Sequence, residues 1–420
     1  MLHDPARHEP LQDIPWDEAR AHAMIERIVR DTEAHFSAQS HWPVHPRDAD
    51  GGPRDPAYPL YHGACGVLWA LHYLDSVGAA RLELPIADHV DALLPLNQAA
   101  LGDSADAEAA SYLIGDTGIL LLADSLNPSD EHADRLESLI AGNIDHPARE
   151  LMWGSPGTML AALFLYRRRG EARWAELFRR SARRLHSQLL WSDEHQCHYW
   201  TQDMYGQCST YLDAVHGFVA TASVLIHGRD LLDASEWADW QTIITQTIAH
   251  TAIREGSLAN WPAWLAAPGA PPPRQLMQYC HGAPGFVICL ADLPGSELDE
   301  VLRAAGEATW VAGPLTKGSN LCHGTGGNGY AFLKLYQRSG DAMWLTRARS
   351  FAMHGIVQTE TEAARVGQLR YSLWTGDPGF AIYLWDCIRG AGDFPTLDLF
   401  DAGITAARSD RSSPTRTAHR

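Results

Sequence analysis

A short pattern, Gly-x-x-Gly followed by an apolar run, occurs seven times along the chain and sets most of what the chain can fold into. The copies are Gly63-Ala-Cys-Gly66, Gly115-Asp-Thr-Gly118, Gly154-Ser-Pro-Gly157, Gly217-Phe-Val-Ala220, Gly282-Ala-Pro-Gly285, Gly324-Thr-Gly-Gly327 and Gly376-Asp-Pro-Gly379. The fourth carries Ala220 where its second glycine is expected. Successive copies start 52, 39, 63, 65, 42 and 52 residues apart, and each interval holds about two helices of ~11–12 residues plus loops. One such pattern says little, but seven with the same sequel indicate a repeated helical hairpin. Glycine there permits a positive φ and a close backbone approach at the turn into a helix. Proline at the third position of three copies suits a first helical turn, where its missing N–H does no harm.

The segments between the copies differ in character from those that follow them. Residues Ala172–His186 place Trp174, Leu177, Phe178, Ala182 and Leu185 on one helical face and arginines on the other. Val67–Leu74 and Ile119–Ala123 are apolar nearly all round, which marks buried helices. An inner ring of buried helices within an outer ring of amphipathic ones is an all-α fold, an α/α toroid of seven helical hairpins with the Gly-x-x-Gly turns gathered at one end. Closing the ring removes the need for capping repeats. Residues 1–15 read as an irregular N-terminal segment, 16–404 as one toroid domain and 405–420 as a disordered tail. The proline-rich stretch 266–274 reads as a stiff loop ahead of the fifth repeat.

Composition narrows the function classes. The 420 residues carry a formal charge of −18, which opposes nucleic-acid binding and adhesion to anionic membranes, since both draw on Lys and Arg. No run of 18 apolar residues exists, so no membrane span is expected. The start, Met1-Leu2-His3-Asp4-Pro5, lacks a basic and apolar signal region, which makes the cytoplasm the expected location. The seven cysteines therefore read as free thiols or metal ligands rather than a disulfide framework. Cys65, Cys289 and Cys387 sit in apolar surroundings and read as core.

Three repeats carry more than glycine. The fifth reads Gln278-Tyr-Cys-His-Gly282, the sixth Leu321-Cys-His-Gly324 and the fourth Asp213-Ala-Val-His-Gly217. Cys280 and Cys322 stand two residues before the first glycine; His216, His281 and His323 stand one before it. Equivalent positions of neighbouring repeats lie near one another in a ring, so two thiols and an imidazole should meet at one end. Zn²⁺ suits that donor set, and three protein ligands leave a fourth position open. Cys280, Cys322 and His323 are the expected ligands. A substrate thiol there would lose its proton more readily than at its ordinary pKa of ~8.5.

With these motifs the chain resembles the lanthionine synthetase C-like (LanC-like) family over nearly its full length. The resemblance implies the seven-hairpin toroid, a zinc held by a Cys and then a Cys-His pair, and addition of cysteine thiols to dehydroalanine or dehydrobutyrine. Bacterial cyclases of the family usually carry Trp-Cys-Tyr-Gly at the first ligand. Tyr279-Cys280-His281-Gly282 followed by Ala-Pro-Gly is closer to the eukaryotic-type branch, which binds glutathione. Lys317 matches a lysine which that branch places near glutathione. His216 matches the family's candidate for the general acid that protonates the α-carbon, and His281 is a second candidate. Glu150 occupies the place of an acidic residue in the third repeat that orients a histidine or holds substrate. The implied reaction is either cyclisation of a ribosomally made peptide or intermolecular addition of glutathione, and the implied partners are a dehydrated peptide or protein, glutathione, and a dehydratase to supply the alkene, since no such domain precedes the toroid.

Structural uses of the same residues stand beside these readings. Glu150 near a helix start favours the helix dipole, His281 beside a ligand acts as a hydrogen-bonding support, and Lys317 is an ordinary solvated lysine. Trp153 and Trp374 read as core, His62 stays without a role, and Asp116 and Asp377 read as helix N-terminal residues. A non-catalytic zinc- and glutathione-binding sensor or scaffold is the rival function. Zinc-dependent prenyltransferase toroids lack this Gly and Cys-His-Gly set, and toroidal glycosidases need two facing carboxylates that the turns do not offer.

Overall fold

The computed structural model describes residues 1–48, 56–104, 108–204, 206–267, 269–270 and 273–402. The expected tail at 405–420 and residues 268, 271 and 272 of the proline-rich loop lie outside them.

Each Gly-x-x-Gly copy opens a helix: α2 (Ala64–Ser76), α5 (Asp116–Leu126), α7 (Ser155–Arg169), α9 (Phe218–His227), α11 (Ala283–Leu290), α13 (Thr325–Ser339) and α15 (Asp377–Arg389). Side chains along these helices are buried nearly all round. Each touches the next, and α15 touches α2, so the seven close a ring. The outer layer is α1 (Glu18–Ala34), the short α3 (Ala87–Val90) with α4 (Leu93–Leu101), α6 (Asp130–Gly142), α8 (Ala172–Ser187), α10 (Ala234–Thr251), α12 (Asp299–Ala312) and α14 (Ala342–Val366). In α8, Trp174, Leu177, Phe178, Ala182 and Leu185 are buried as the sequence pattern requires. The N-terminal α1 packs on the last inner helix, α15, so the ring is closed by the two ends of the chain. Three antiparallel hairpins decorate the loops: β1–β2 (Leu190–Ser192, Cys197–Tyr199), β3–β4 (Gln202–Met204, Gln207–Ser209) and β5–β6 (Ile253–Glu255, Leu258–Asn260).

The inner helices start on a glycine with no side-chain cap. The preceding loop replaces the cap. Amides of the first turn donate to carbonyls seven residues earlier: Cys65 to Tyr58, Asp116 to Ala109, Val219 to Leu212, Gly327 to Asn320, Asp377 to Arg370. This satisfies donors that a helix start otherwise leaves open. It also presses the helix onto its own loop. A Cβ at Gly285 would lie 2.0 Å from the Tyr279 carbonyl oxygen, and one at Gly327 1.8 Å from that of Leu321. Close approach, and not positive φ, is thus the reason for the second glycine. Of the first glycines only Gly282 has a positive φ, at 116°. The expectation of positive φ at these turns holds for that copy alone.

The turns are tied side to side. Residues two or three before each first glycine form a girdle: Tyr61 N donates to Leu113 O (2.9 Å), Leu113 N to Met152 O (3.4 Å) and Leu151 N to Val215 O (3.3 Å). The Tyr279 hydroxyl donates to Ala214 O (3.1 Å). Cys280 N then donates to Cys322 O (3.1 Å), Cys322 N to Trp374 O (2.8 Å) and Trp374 N back to Tyr61 O (3.2 Å). The girdle fixes the register of all seven turns at one mouth of the ring.

Candidate metal centre

Because the girdle aligns equivalent positions, Cys280 and Cys322 come to neighbouring points on it. A ligand atom from each of Cys280, Cys322 and His323 lies within 4.8 Å of the others. Both cysteines are buried and the imidazole is half-buried. Asn320 Oδ1 accepts from His323 N (3.0 Å) and so sets the turn that aims this ring. Each sulfur accepts a hydrogen bond from a protein donor: the Tyr61 hydroxyl to Cys322 Sγ and Gln278 Nε2 to Cys280 Sγ, both at 2.9 Å. Donors aimed at buried sulfurs favour thiolates over thiols. Cys322 is held well below the usual thiol range by the hydrogen bond from Cys280, with His323 and Tyr61 adding to it against burial. Cys280 is pushed up by donating to Cys322 and by burial. Two sulfurs and an imidazole at this spacing fit Zn²⁺, which binds such donors at ~2.0–2.3 Å in a tetrahedron with room for one more ligand.

Two carboxylate–histidine pairs stand beside this triad, built on one rule. The acidic residue four before a first glycine closes its own turn and reaches the histidine of the next repeat. Glu150 is fully buried; it accepts from the amides of Met152 (3.0 Å), Trp153 (2.5 Å) and Gly154 (3.3 Å), and from His216 Nδ1 (2.9 Å). Asp213, also fully buried, accepts from the amides of Val215 (3.0 Å) and His216 (2.7 Å), and from His281 Nδ1 (2.8 Å). Both imidazoles keep some exposure, 22% and 24% of the side chain, so the Nε2 edges are open to the mouth. Burial works against the charged form of His216, but the hydrogen bond and charge of Glu150 outweigh it, with help from Asp213 and Cys322, and its pKa is raised. The ring of Trp153 stacks on His216 at 5.7 Å between centroids, and the tilted ring of Tyr211 lies 5.6 Å from it.

Lys317 is exposed on the loop before Cys322. It lines a cavity of about 250 Å³ with Arg47, Arg370, Ser319, Thr375 and Asp377. Burial raises the Asp377 carboxyl to about 6. Trp374 is core, while Trp153 is half-buried against His216. His62 lies exposed at the mouth, packed on Tyr61.

The structure thus brings the three expected ligands together and pairs His216 with Glu150. It adds three residues for which sequence reasoning found no role: Tyr61, Gln278 and Asp213. Register carried a signal for each. Tyr61 shares the position of Cys280 and Cys322, and Gln278 and Asp213 share that of Glu150.

A family model described as lanthionine synthetase C-like protein matches residues 56–399. Glutathione S-transferase LANCL1 of Danio rerio is 33% identical over 130 residues, 30% of this chain and 32% of that protein. LanC-like protein GCL1 of Arabidopsis thaliana is 28% identical over 246 residues, 56% of this chain and 54% of that one. The chain thus spans about a third and about half of the length of these relatives. Among solved structures, nisin cyclase superposes with a TM-score of 0.56 at 14% identity, covering 89% of this chain and 95% of that one, and shares the α/α toroid.

Proposed function

The chain belongs to the lanthionine synthetase C-like family, and from that premise we propose that it activates a thiol at a zinc site and adds it to the alkene of a dehydroamino acid. The observation that carries this reading is the convergence of two buried sulfurs and an imidazole, within 4.8 Å, from equivalent positions of adjacent hairpins. Bound there, zinc would supply the positive charge that lowers the pKa of a substrate thiol and hold its sulfur in place.

The reaction balances without an oxidant. The thiol gives up its proton, its sulfur forms a bond to the β-carbon, the carbon–carbon π bond breaks, and the α-carbon takes a proton. His216 delivers that proton. Glu150 fixes Nδ1 as its partner and so presents Nε2–H to the mouth. The raised pKa favours the charged form of His216, the one that donates the proton. His281, held the same way by Asp213, stands as a second proton carrier. Lys317, on the loop before Cys322, offers a cationic group to a carboxylate of glutathione or of a peptide, in a cavity where Arg47 and Arg370 are already paired with Glu362 and Asp48.

Glutathione as thiol donor and a dehydroalanine- or dehydrobutyrine-bearing peptide as acceptor, supplied by a dehydratase, complete the proposal; the likeness to the Danio rerio glutathione S-transferase supports it. All seven cysteines are free, and among the described residues no helix is long and apolar enough to cross a membrane. Both agree with the cytoplasmic setting we propose. The test is mass spectrometry of the zinc-loaded protein with glutathione and a dehydroalanine peptide. A mass gain equal to glutathione supports the reading. In a peptide that also carries a cysteine, loss of thiol alkylation with no change of mass would assign cyclisation instead. Tight glutathione binding with no product of either kind would leave the protein a sensor or scaffold and overturn the proposed catalysis.

A further inference from the structure

Residues 1–12 form a strap across the fifth, sixth and seventh hairpins. The amino group of Met1 pairs with Glu255, and Asp4 pairs with Arg274. Leu2 is buried, and its carbonyl accepts from Asn260 Nδ2 at 2.6 Å. Arg7 O accepts from Thr316 N and Glu9 N donates to Pro314 O, both at 3.0 Å. The Glu9 carboxylate joins His354 (2.8 Å) and Gln358 (2.6 Å) on α14. The strap also reaches inward. The Arg7 guanidinium donates to Gln278 Oε1 at 3.0 Å, and Gln278 Nε2 donates to Cys280 Sγ at 2.9 Å. Gln278 is 4% exposed, so this relay runs through a site from which water is largely excluded.

We propose that Arg7 and Gln278 are positioning residues through which the N-terminal strap sets the charge carried by the Cys280 sulfur, and with it the charge left on the zinc. The inference rests on the reading of Cys280, Cys322 and His323 as ligands. An N–H aimed at a thiolate stabilises negative charge on sulfur and so weakens its donation to a metal. A cation on the amide oxygen polarises the same amide and strengthens its N–H as a donor. Groups of this kind, one bond behind a ligand, tune metal sites as strongly as many ligands do. Tyr61 does the same for Cys322 from within the ring. Among the described residues the strap reaches the pair through the donor to Cys280, whereas the donor to Cys322 lies within the ring.

The experiment uses the full chain loaded with Co²⁺, whose sulfur-to-metal charge-transfer absorption reports electron density on the ligand sulfurs. Gln278→Leu is expected to move that band to lower energy. Arg7→Met should move it in the same direction by less, and should add nothing in the Gln278→Leu background, because the arginine acts through the glutamine. Competition with a chromophoric chelator should show zinc affinity altered by roughly 10–100-fold in Gln278→Leu. A band unmoved in both variants at full cobalt loading would overturn the relay, as would an undiminished Arg7→Met shift in the double variant. If Gln278→Leu does not fold, Arg7→Met alone decides, and an unmoved band there overturns the proposal. Absence of any sulfur-to-cobalt band in the unaltered protein would instead remove the ligand assignment itself.

Discussion

The chemistry of the mouth turns on a few side chains whose charge states are set by their partners. Glu150 lifts the pKa of His216, so the imidazolium persists above its ordinary value of ~6.5. As a proton donor His216 must be charged, and the addition rate should fall as pH rises through that raised pKa. Glu150→Gln keeps an acceptor for the turn amides but removes the charge. The falling limb of its kcat/KM profile should move to lower pH, and an unmoved limb would detach Glu150 from the proton step. By linkage, the stability that this pair contributes is fully present below pH ~6.5 and is lost as pH climbs through the folded pKa. His216→Ala should cost about 10²–10⁴-fold in rate while metal content stays at the unaltered level. Cys322→Ala should weaken metal binding, and undiminished zinc would contradict its assignment as a ligand. At this scale the convergence of Cys280, Cys322 and His323 was readable because register alone pairs their positions. Asp213 and Tyr61 shared that register signal and still went unassigned, because register gives equivalent positions and not the atoms they bond, on His281 and Cys322, 68 and 261 residues away.

Each hairpin depends on a helix start pressed against its own loop. Gly327→Ala would put a Cβ 1.8 Å from the Leu321 carbonyl, next to Cys322. The cost expected in denaturant unfolding is at least ~3 kcal/mol, the upper end of overpacking penalties. Gly142→Ala is the control: its Cβ meets nothing within 4 Å, and the change should be neutral or stabilise by about 0.4–1 kcal/mol. Equal effects of the two would refute the close-approach account. The apolar and amphipathic runs made the inner and outer helices legible, as in α8. The backbone reason for the glycines was only half legible, since a sequence cannot distinguish a positive φ from a carbonyl lying against the Cα. Nor did it show that α1 packs on α15, because ring closure joins segments more than 340 residues apart.

As a whole the toroid is a cup. Residues 391–402 are pinned to the ring: Trp69 of α2 donates to Phe400 O (2.9 Å), Tyr112, on the loop before α5, to Thr396 O (2.6 Å), and Arg168 of α7 pairs with Asp401 (2.9 Å). Phe394, fully buried, stacks on Tyr279 at 4.6 Å, which places this plug against the turn that carries Cys280. Lys334, 1% exposed, lies 2.6 Å from both Asp292 and Asp398, with His227 3.4 Å from each. That cluster has the ligand types of a metal site, but the ammonium already supplies its positive charge. Lys334→Met would strand two carboxylates and should cost about 3–5 kcal/mol. Asp398→Asn added to it should return part of that loss, measured as a shift of the denaturation midpoint; no recovery would argue against charge as the cause. None of this plug was legible from the repeats, because residues 391–402 carry no copy of the motif.

The central claim is that two sulfurs and one imidazole close around a single ion. X-ray absorption at the zinc edge of the metal-loaded protein measures that directly. The account predicts two sulfur scatterers at ~2.3 Å and an imidazole nitrogen at ~2.0–2.1 Å, with one sulfur lost in Cys280→Ala. A zinc shell of oxygen and nitrogen alone, or one unchanged by that substitution, would contradict it.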